Sequence, residues 1–318
     1  MKTQIHPVSA SVIAAGWVGP SLTPNEEAPW AEADLPFNCD DLVQRVLGQP
    51  MRRAGRFIKM VCAGAMTCLQ AAPPGALQNR KTGIFLATGL GNGDEILPFV
   101  TQVFKHDGGF PSPNQFANSV SNAAAFFLAR QCDVRGVILT LSDEELSFES
   151  ALWLAQSYLR SGEIDLALVG GCDVYTPTVE EYRERMYVHP DNARALPIGE
   201  GSSWLLLGAD PARRIGELHF VLMQPKAGAS EDVLAAGLAA AEKVTSANRR
   251  VWLPGFRLLH PEAPAGWDCR DYLPCCGIHP TAAAFGLARA LRAERDALVI
   301  HAGVSSAGKK ALIAASTI

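Results

Sequence analysis

The chain has 318 residues, 48% of them hydrophobic and 19% charged, with 28 basic and 32 acidic side chains for a net charge of −4. This length and balance fit a globular protein of two ordinary domains or one composite domain, not a disordered chain. They give no basic field for nucleic acid and no polybasic footprint for a membrane surface.

"SASVIAA" reads as a first strand, Ser9 to Ala15, rather than a signal peptide, and no apolar run approaches a membrane span. Residues 20 to 50 are Pro-rich and irregular, with a short helix near Asp40 to Leu47. Apolar residues at helical spacing (Ile58, Val61, Ala65, Met66, Leu69) predict a helix from Phe57 to Ala71, stopped by "APPG". "TGIFLATG" (82–89) is a compact buried strand. The Gly-rich "GLGNGD" follows; lacking a Lys-Ser/Thr ending and a long helix after it, it is no phosphate cradle. A helix rich in small residues is expected from Asn118 to Cys132, then the strand "GVILTL".

That strand runs into "SDEELS" (142–147) and a helix from Ser147 to Ser161. A sharp strand-to-helix elbow is where many α/β enzymes display a nucleophile, but here it carries Asp143, Glu144 and Glu145. The plainest reading is capping, with Ser142 or Asp143 as N-cap and acids in the first turn. "IDLALVGGCD" (164–173) is apolar on both faces and so central in a sheet. "IGEGSS" is a tight turn into the strand "SSWLLL", with Glu200 bonding to backbone. A helix from Glu231 to Val244, the strand "RRVWLPG", a helix from Thr281 to Glu294 and the strand "ALVIHAG" complete the list. The alternation argues for α/β layering around a mostly parallel, covered sheet, with two weakly related halves meeting near residue 210. The eight cysteines form no paired metal pattern and read as reduced thiols of a cytoplasmic protein.

Three runs, "FANSVSNAAAFFLARQCDVRGVILTLS" (116–142), "GEIDLALVGGCD" (162–173) and "IGEGSSWLLL" (198–207), together resemble a β-ketoacyl synthase of the thiolase fold. "GIHPTAAAFGLARAL" (277–291) and "HAGVSSAGKKALI" (301–313) are similar to its glycine-histidine helix start and its closing loop with the last strand. The resemblance implies a layered α-β-α-β-α architecture, with a ketosynthase-like half at 1–210 and a shortened half at 211–318. It implies neither cofactor nor metal.

It also implies that the catalytic set is degenerate. The nucleophilic cysteine falls at Glu145, which cannot form a thioester, and the supporting lysine falls at Pro274. The first histidine is missing from "LPGFRLL", and His260 is too far along to replace it. The second histidine is retained as His279, for which a buried, hydrogen-bonded role is the plainer reading. Glu145 itself would accept hydrogen bonds from orphan N–H groups at the helix start.

The expected function is a non-catalytic, chain-length-factor-like subunit. It would pair with an active ketosynthase through Val137, Ile138, Leu139, Thr140 and Leu141 and shape its acyl tunnel with the segment Phe110 to Phe127. Candidate residues there are Phe116, Asn118, Phe126 and Phe127, of which the three aromatics otherwise read as core. The setting would be polyketide, aryl polyene or fatty-acid-type elongation on an acyl carrier protein. The alternatives are a malonyl-thioester decarboxylase or acyltransferase using Glu145 and His279, and a module that binds a carrier protein alone.

Overall fold

The computed structural model describes residues 9–105, 112–176, 196–210, 214–224, 232–255, 257–258 and 262–318. Ten strands form one sheet in the order β3-β2-β4-β5-β1-β6-β10-β9-β7-β8. They are β1 (Ala10–Val18), β2 (Thr82–Ala87), β3 (Ile138–Leu141), β4 (Leu166–Asp173), β5 (Gly201–Gly208), β6 (Gly216–Gln224), β7 (Arg249–Pro254), β8 (Asp268–Cys269), β9 (Ala297–Val304) and β10 (Lys310–Thr317). The order 3-2-4-5-1 recurs as 8-7-9-10-6, and the two series join where β1 pairs with β6.

The sheet is mixed rather than mostly parallel. Four neighbouring pairs are parallel (β2 with β3 and β4, β7 with β8 and β9) and five antiparallel. A parallel neighbour needs a crossover of a dozen residues or more. Only five residues separate β9 from β10, so these two can pair only as a hairpin. β6, which the sequence pattern did not single out, pairs antiparallel with both β1 and β10.

The described helices are α1 (Cys39–Leu47), α2 (Arg56–Ala71), α3 (Gly93–Lys105), α4 (Pro113–Ser119), α5 (Asn122–Cys132), α6 (Ser147–Ser161), α7 (Val233–Ala241), α8 (Leu273–Cys276) and α9 (Ala282–Ala293). α6 has the bounds read from sequence. A 13-residue helix, α3, does follow the Gly-rich loop, contrary to the expectation that none would. The single helix expected over 118–132 is broken at Val120 and Ser121 into α4 and α5.

Strand alternation sorts the core into layers, because successive side chains leave a strand on opposite faces. Ile84, Leu86, Leu168, Trp204 and Leu206 pack outward on α1, α2 and α5. Phe85, Val169, Leu205 and Leu207 point inward, joining Val251, Leu253, Val299 and Ile313 around α6 and α9. Trp252, Leu298, Ile300 and Leu312 face outward again beneath α7. The result is the α-β-α-β-α layering, with α6 and α9 buried at its centre. The first turn of α6 is the elbow, and α9 begins just after His279.

Candidate functional site

The elbow is made by β3 ending at Leu141, a tight turn through Asp143 to Leu146, and α6. Glu144 takes φ = 50°, a left-handed conformation that a non-glycine residue adopts only at a cost of order 1 kcal/mol or more. The turn is held by the Ser147 hydroxyl, which donates to the Glu144 carbonyl (2.6 Å) and accepts from the Asp143 N–H (2.8 Å). It packs against the loop after β2. A Cβ at Gly89 would lie 2.8 Å from the Glu144 carbonyl oxygen and 2.3 Å from Pro280, so only glycine lets the elbow and the His279-Pro280 turn come this close.

The acids do not cap the helix. α6 starts with no side-chain cap. The Asp143 carboxylate accepts from the Ser150 hydroxyl (2.8 Å) and pairs with Lys309, whose pKa this partner raises. Glu145 turns away from the α6 N–H groups and reaches residues from the other end of the chain. Its Oε1 forms an ion pair with Arg257 Nε at 2.8 Å, and its Oε2 accepts from the Ser306 N–H and the Ser306 hydroxyl, both at 3.2 Å. The two side chains of the ion pair are only 12% and 10% exposed. Arg257 stands in the loop after β7, where the resemblance places the missing histidine, and Ser306 in the closing loop after β9. Sequence reading missed both; a basic residue in "LPGFRLL" was the available signal.

His279 is buried. The segment around it is zipped to the "IGEG" turn by a parallel bridge, Ile198 to Ile278. Its Nδ1 lies 3.4 Å from the Thr281 hydroxyl and 3.8 Å from Asp173 Oδ2, and its Nε2 has no hydrogen-bond partner among the described residues. Asp173 is the organiser here. Fully buried, it accepts from Thr88 Oγ1, the N–H groups of Gly89 and Leu90, and both the N–H and hydroxyl of Thr281. Glu200 accepts from the N–H groups of Phe37 (3.1 Å) and Tyr175 (2.7 Å) as its sequence context suggested, and also pairs with Arg56. Pro274 lies in the short α8. His260 is outside the described residues.

A second buried group went unread. Glu149, one helical turn inward from Glu145, sets Oε1 3.6 Å from His301 Nδ1, and His301 Nε2 lies 3.0 Å from the Tyr272 hydroxyl. All three are about 1% exposed. Burial pushes the Glu149 carboxyl up to about 8, helped by the nearby Asp143 charge, and pushes His301 down to about 3. A Cβ at Gly303 would sit 2.8 Å from Glu149 Oε1, so this glycine lets the closing loop reach the elbow.

The thiols play no part at the elbow. Burial holds Cys39, Cys62, Cys68 and Cys132 up near about 12, and Cys172 and Cys276 well above their ordinary value. Such groups are inert as nucleophiles. Among the described residues no group of three or more His, Cys, Asp or Glu side chains could hold a metal ion, and no helix is long and apolar enough to cross a membrane.

The interface candidates divide. β3 is an edge strand; Ile138 is exposed and Leu139, Thr140 and Leu141 half-buried, with Val137 packed at the margin of the core. Phe116 and Phe126 are 58% and 56% exposed rather than core. Phe127 is half-buried and meets Phe126 edge-on. Asn118 is buried and structural, donating to the Arg53 carbonyl and accepting from Asn92. Phe110 lies outside the described residues.

Residues 24–195, just over half of the chain, match the family described as Beta-ketoacyl synthase, N-terminal domain. The fold is similar to that of the ishigamide ketosynthase/chain length factor, with a TM-score of 0.75 at 17% identity, over 98% of this chain and 100% of that one. It is also similar to a β-ketoacyl synthase from Burkholderia phymatum STM815 (TM-score 0.69, 12% identity, 97% and 99% coverage). A third likeness is to a type II polyketide synthase acyl-carrier protein in complex with its ketosynthase bound to the hexaketide (0.71, 13%, 98% and 99%). No curated protein matches in sequence. With the family matched over most of the N-terminal half and the layered fold shared throughout, the chain belongs to the β-ketoacyl synthase family.

Proposed function

We propose that this chain is a non-catalytic, chain-length-factor-like subunit that pairs with an active β-ketoacyl synthase and helps shape its acyl tunnel. The setting is chain elongation on an acyl carrier protein, of polyketide, aryl polyene or fatty-acid type, in the cytoplasm. The two related halves, 1–210 and 211–318, belong to the same proposal and are supported by the repeated strand order. One observation carries it: the carboxylate of Glu145, at the elbow, is tied down by Arg257 and Ser306, residues that offer no imidazole for condensation. A carboxylate fixed there neither carries an acyl thioester nor stabilises a developing enolate.

The pairing surface is supported by β3. An edge strand presents unpaired N–H and C=O groups that a second strand can take up. Exposed Phe126 on α5 and Trp153 on α6, 50% exposed, lie on helices that pack against β3, beside exposed Ile138. Co-expression with the ketosynthase encoded beside this chain tests the reading. A stable heterodimer that is more active than the ketosynthase alone supports it; recovery of two separate proteins with unchanged activity refutes it.

The bare, buried Nε2 of His279 favours one second reading, a malonyl-thioester decarboxylase or acyltransferase using Glu145 and His279. Release of CO2 from a malonyl carrier protein, lost in both Glu145→Ala and His279→Ala, would establish it in place of the first.

A further inference from the structure

The groups around Glu145 have the chemistry of a receptor. One carboxylate oxygen faces a guanidinium at 2.8 Å; the other faces an N–H and an O–H, each at 3.2 Å. A positive charge on one side, in an ion pair by distance rather than by hydrogen bond from Nε, and two neutral donors on the other together complement a carboxylate. Glu144 Oε2 also touches the Ser306 hydroxyl, but only at 3.5 Å.

The Ser306 N–H, and the backbone that carries Arg257, are also held in place without Glu145. In the closing loop the Ser305 N–H donates to the Lys309 carbonyl (2.9 Å), the Gly308 N–H to the Ser305 carbonyl (3.0 Å) and the Lys309 N–H to the Ser305 hydroxyl (3.2 Å). This hairpin fixes the Ser306 N–H by its own bonds. Arg257 sits in a turn closed by the Leu258 N–H on the Gly255 carbonyl (3.1 Å), anchored to β9 through the Gly255 N–H on the Ala302 carbonyl (2.9 Å). A backbone donor preorganised by its own loop, as at Ser306, keeps its geometry when the ligand leaves, and this lowers the cost of binding a replacement.

We propose that Arg257 and Ser306 form a binding site for a compact carboxylate, and that Glu145 occupies it as a tethered ligand from the chain's own elbow. This rests on the reading of Glu145 as a fixed, non-reacting group at the elbow. It does not depend on any partner subunit, so the two can fail separately.

Glu145→Ala removes a CH2–COO− unit, which is the size of acetate. The thermal midpoint of wild type, E145A and E145A/R257M is followed while sodium acetate is titrated against sodium chloride at matched ionic strength. The expected result is a saturable, acetate-specific rise in E145A, absent in wild type because the site is filled. In E145A/R257M the apparent affinity is weaker by about tenfold or more, the loss of the one positive charge at the site. A rise in E145A no larger than chloride gives, or an equal acetate response in wild type or the double variant, overturns the proposal. Should E145A not fold in plain buffer, it is refolded in acetate and in chloride. Recovery in acetate alone supports the site; equal recovery, or none in either, overturns it.

Discussion

Glu149 and His301 face each other between the central helix α6 and strand β9, carboxyl oxygen 3.6 Å from ring nitrogen, and both are held in their neutral forms by burial. Their titrations oppose each other. The raised Glu149 pKa means that stability falls as pH climbs from the ordinary 4.5 towards about 8, where the unfolded chain ionises and the folded one does not. The lowered His301 pKa means that stability falls as pH drops from the ordinary 6.5 towards about 3. Between 4.5 and 6.5 the slopes cancel. Thermal midpoints should therefore be flat across that window from this pair and fall on both sides. Glu149→Gln should flatten the alkaline side and His301→Asn the acid side, each difference reaching a few kcal/mol at the extremes. Wild type and variants with superimposable pH profiles would show that the pair does not titrate this way.

The Glu145–Arg257 pair predicts a measurable coupling. Removing either partner takes away an ion pair between two nearly buried side chains, so Glu145→Ala and Arg257→Met should each cost roughly 2 kcal/mol in urea denaturation. The double variant should cost less than the sum by about 1 kcal/mol or more. Simple additivity would mean the pair is not formed in solution.

Asp173 should be the most sensitive position near His279. Asp173→Ala orphans three backbone N–H groups, of Gly89, Leu90 and Thr281, and the hydroxyls of Thr88 and Thr281 in one buried cluster. At 1 to 3 kcal/mol for each orphaned group, the loss is about 4 kcal/mol or more, enough to unfold many domains. Asp173→Asn, which keeps one carbonyl oxygen, should lose less. Guanidinium melts of the two variants rank them.

For the proposed pairing, Ile138→Lys should weaken heterodimer formation at least about tenfold while leaving the thermal midpoint of the isolated chain within a degree or two, because Ile138 is 37% exposed. Trp153→Ala, on the flanking helix, should act in the same direction. Analytical ultracentrifugation against the ketosynthase partner measures both. A variant that binds as tightly as wild type would move the interface away from β3.

The elements that the sequence made legible are those with clean local patterns: α6 to the residue, the buried strand β4, and the small-residue helix α9. The ones it hid have local patterns that mislead. α3 opens on glycines and contains Pro98, which reads as loop. β6 carries Glu217 and His219 in its middle and gains its strand character from partners at both edges. At the site, the substitution at Glu145 was readable from its place in the elbow, but what the carboxylate does was not, since Arg257 and Ser306 come from loops more than a hundred residues away. The capping reading failed because a guanidinium with a second-loop N–H is a better partner than the helix's own N–H groups. Glu149 and His301 left a trace that was available. A carboxylate among Phe148, Ala151, Leu152 and Ala155 on a helix, and a histidine at the inward parity of β9, both announce buried polar groups.

The elbow belongs to the first half of the chain, and the cations that pair with its acids belong to the second. In chain order α6 comes before either cation, with Ser150 as the partner of the Asp143 carboxylate from its own half. Arg257 arrives after β7, while Ser306 and Lys309 arrive only with the last hairpin. The β9–β10 hairpin thus acts as a clasp on a turn laid down far earlier in the chain.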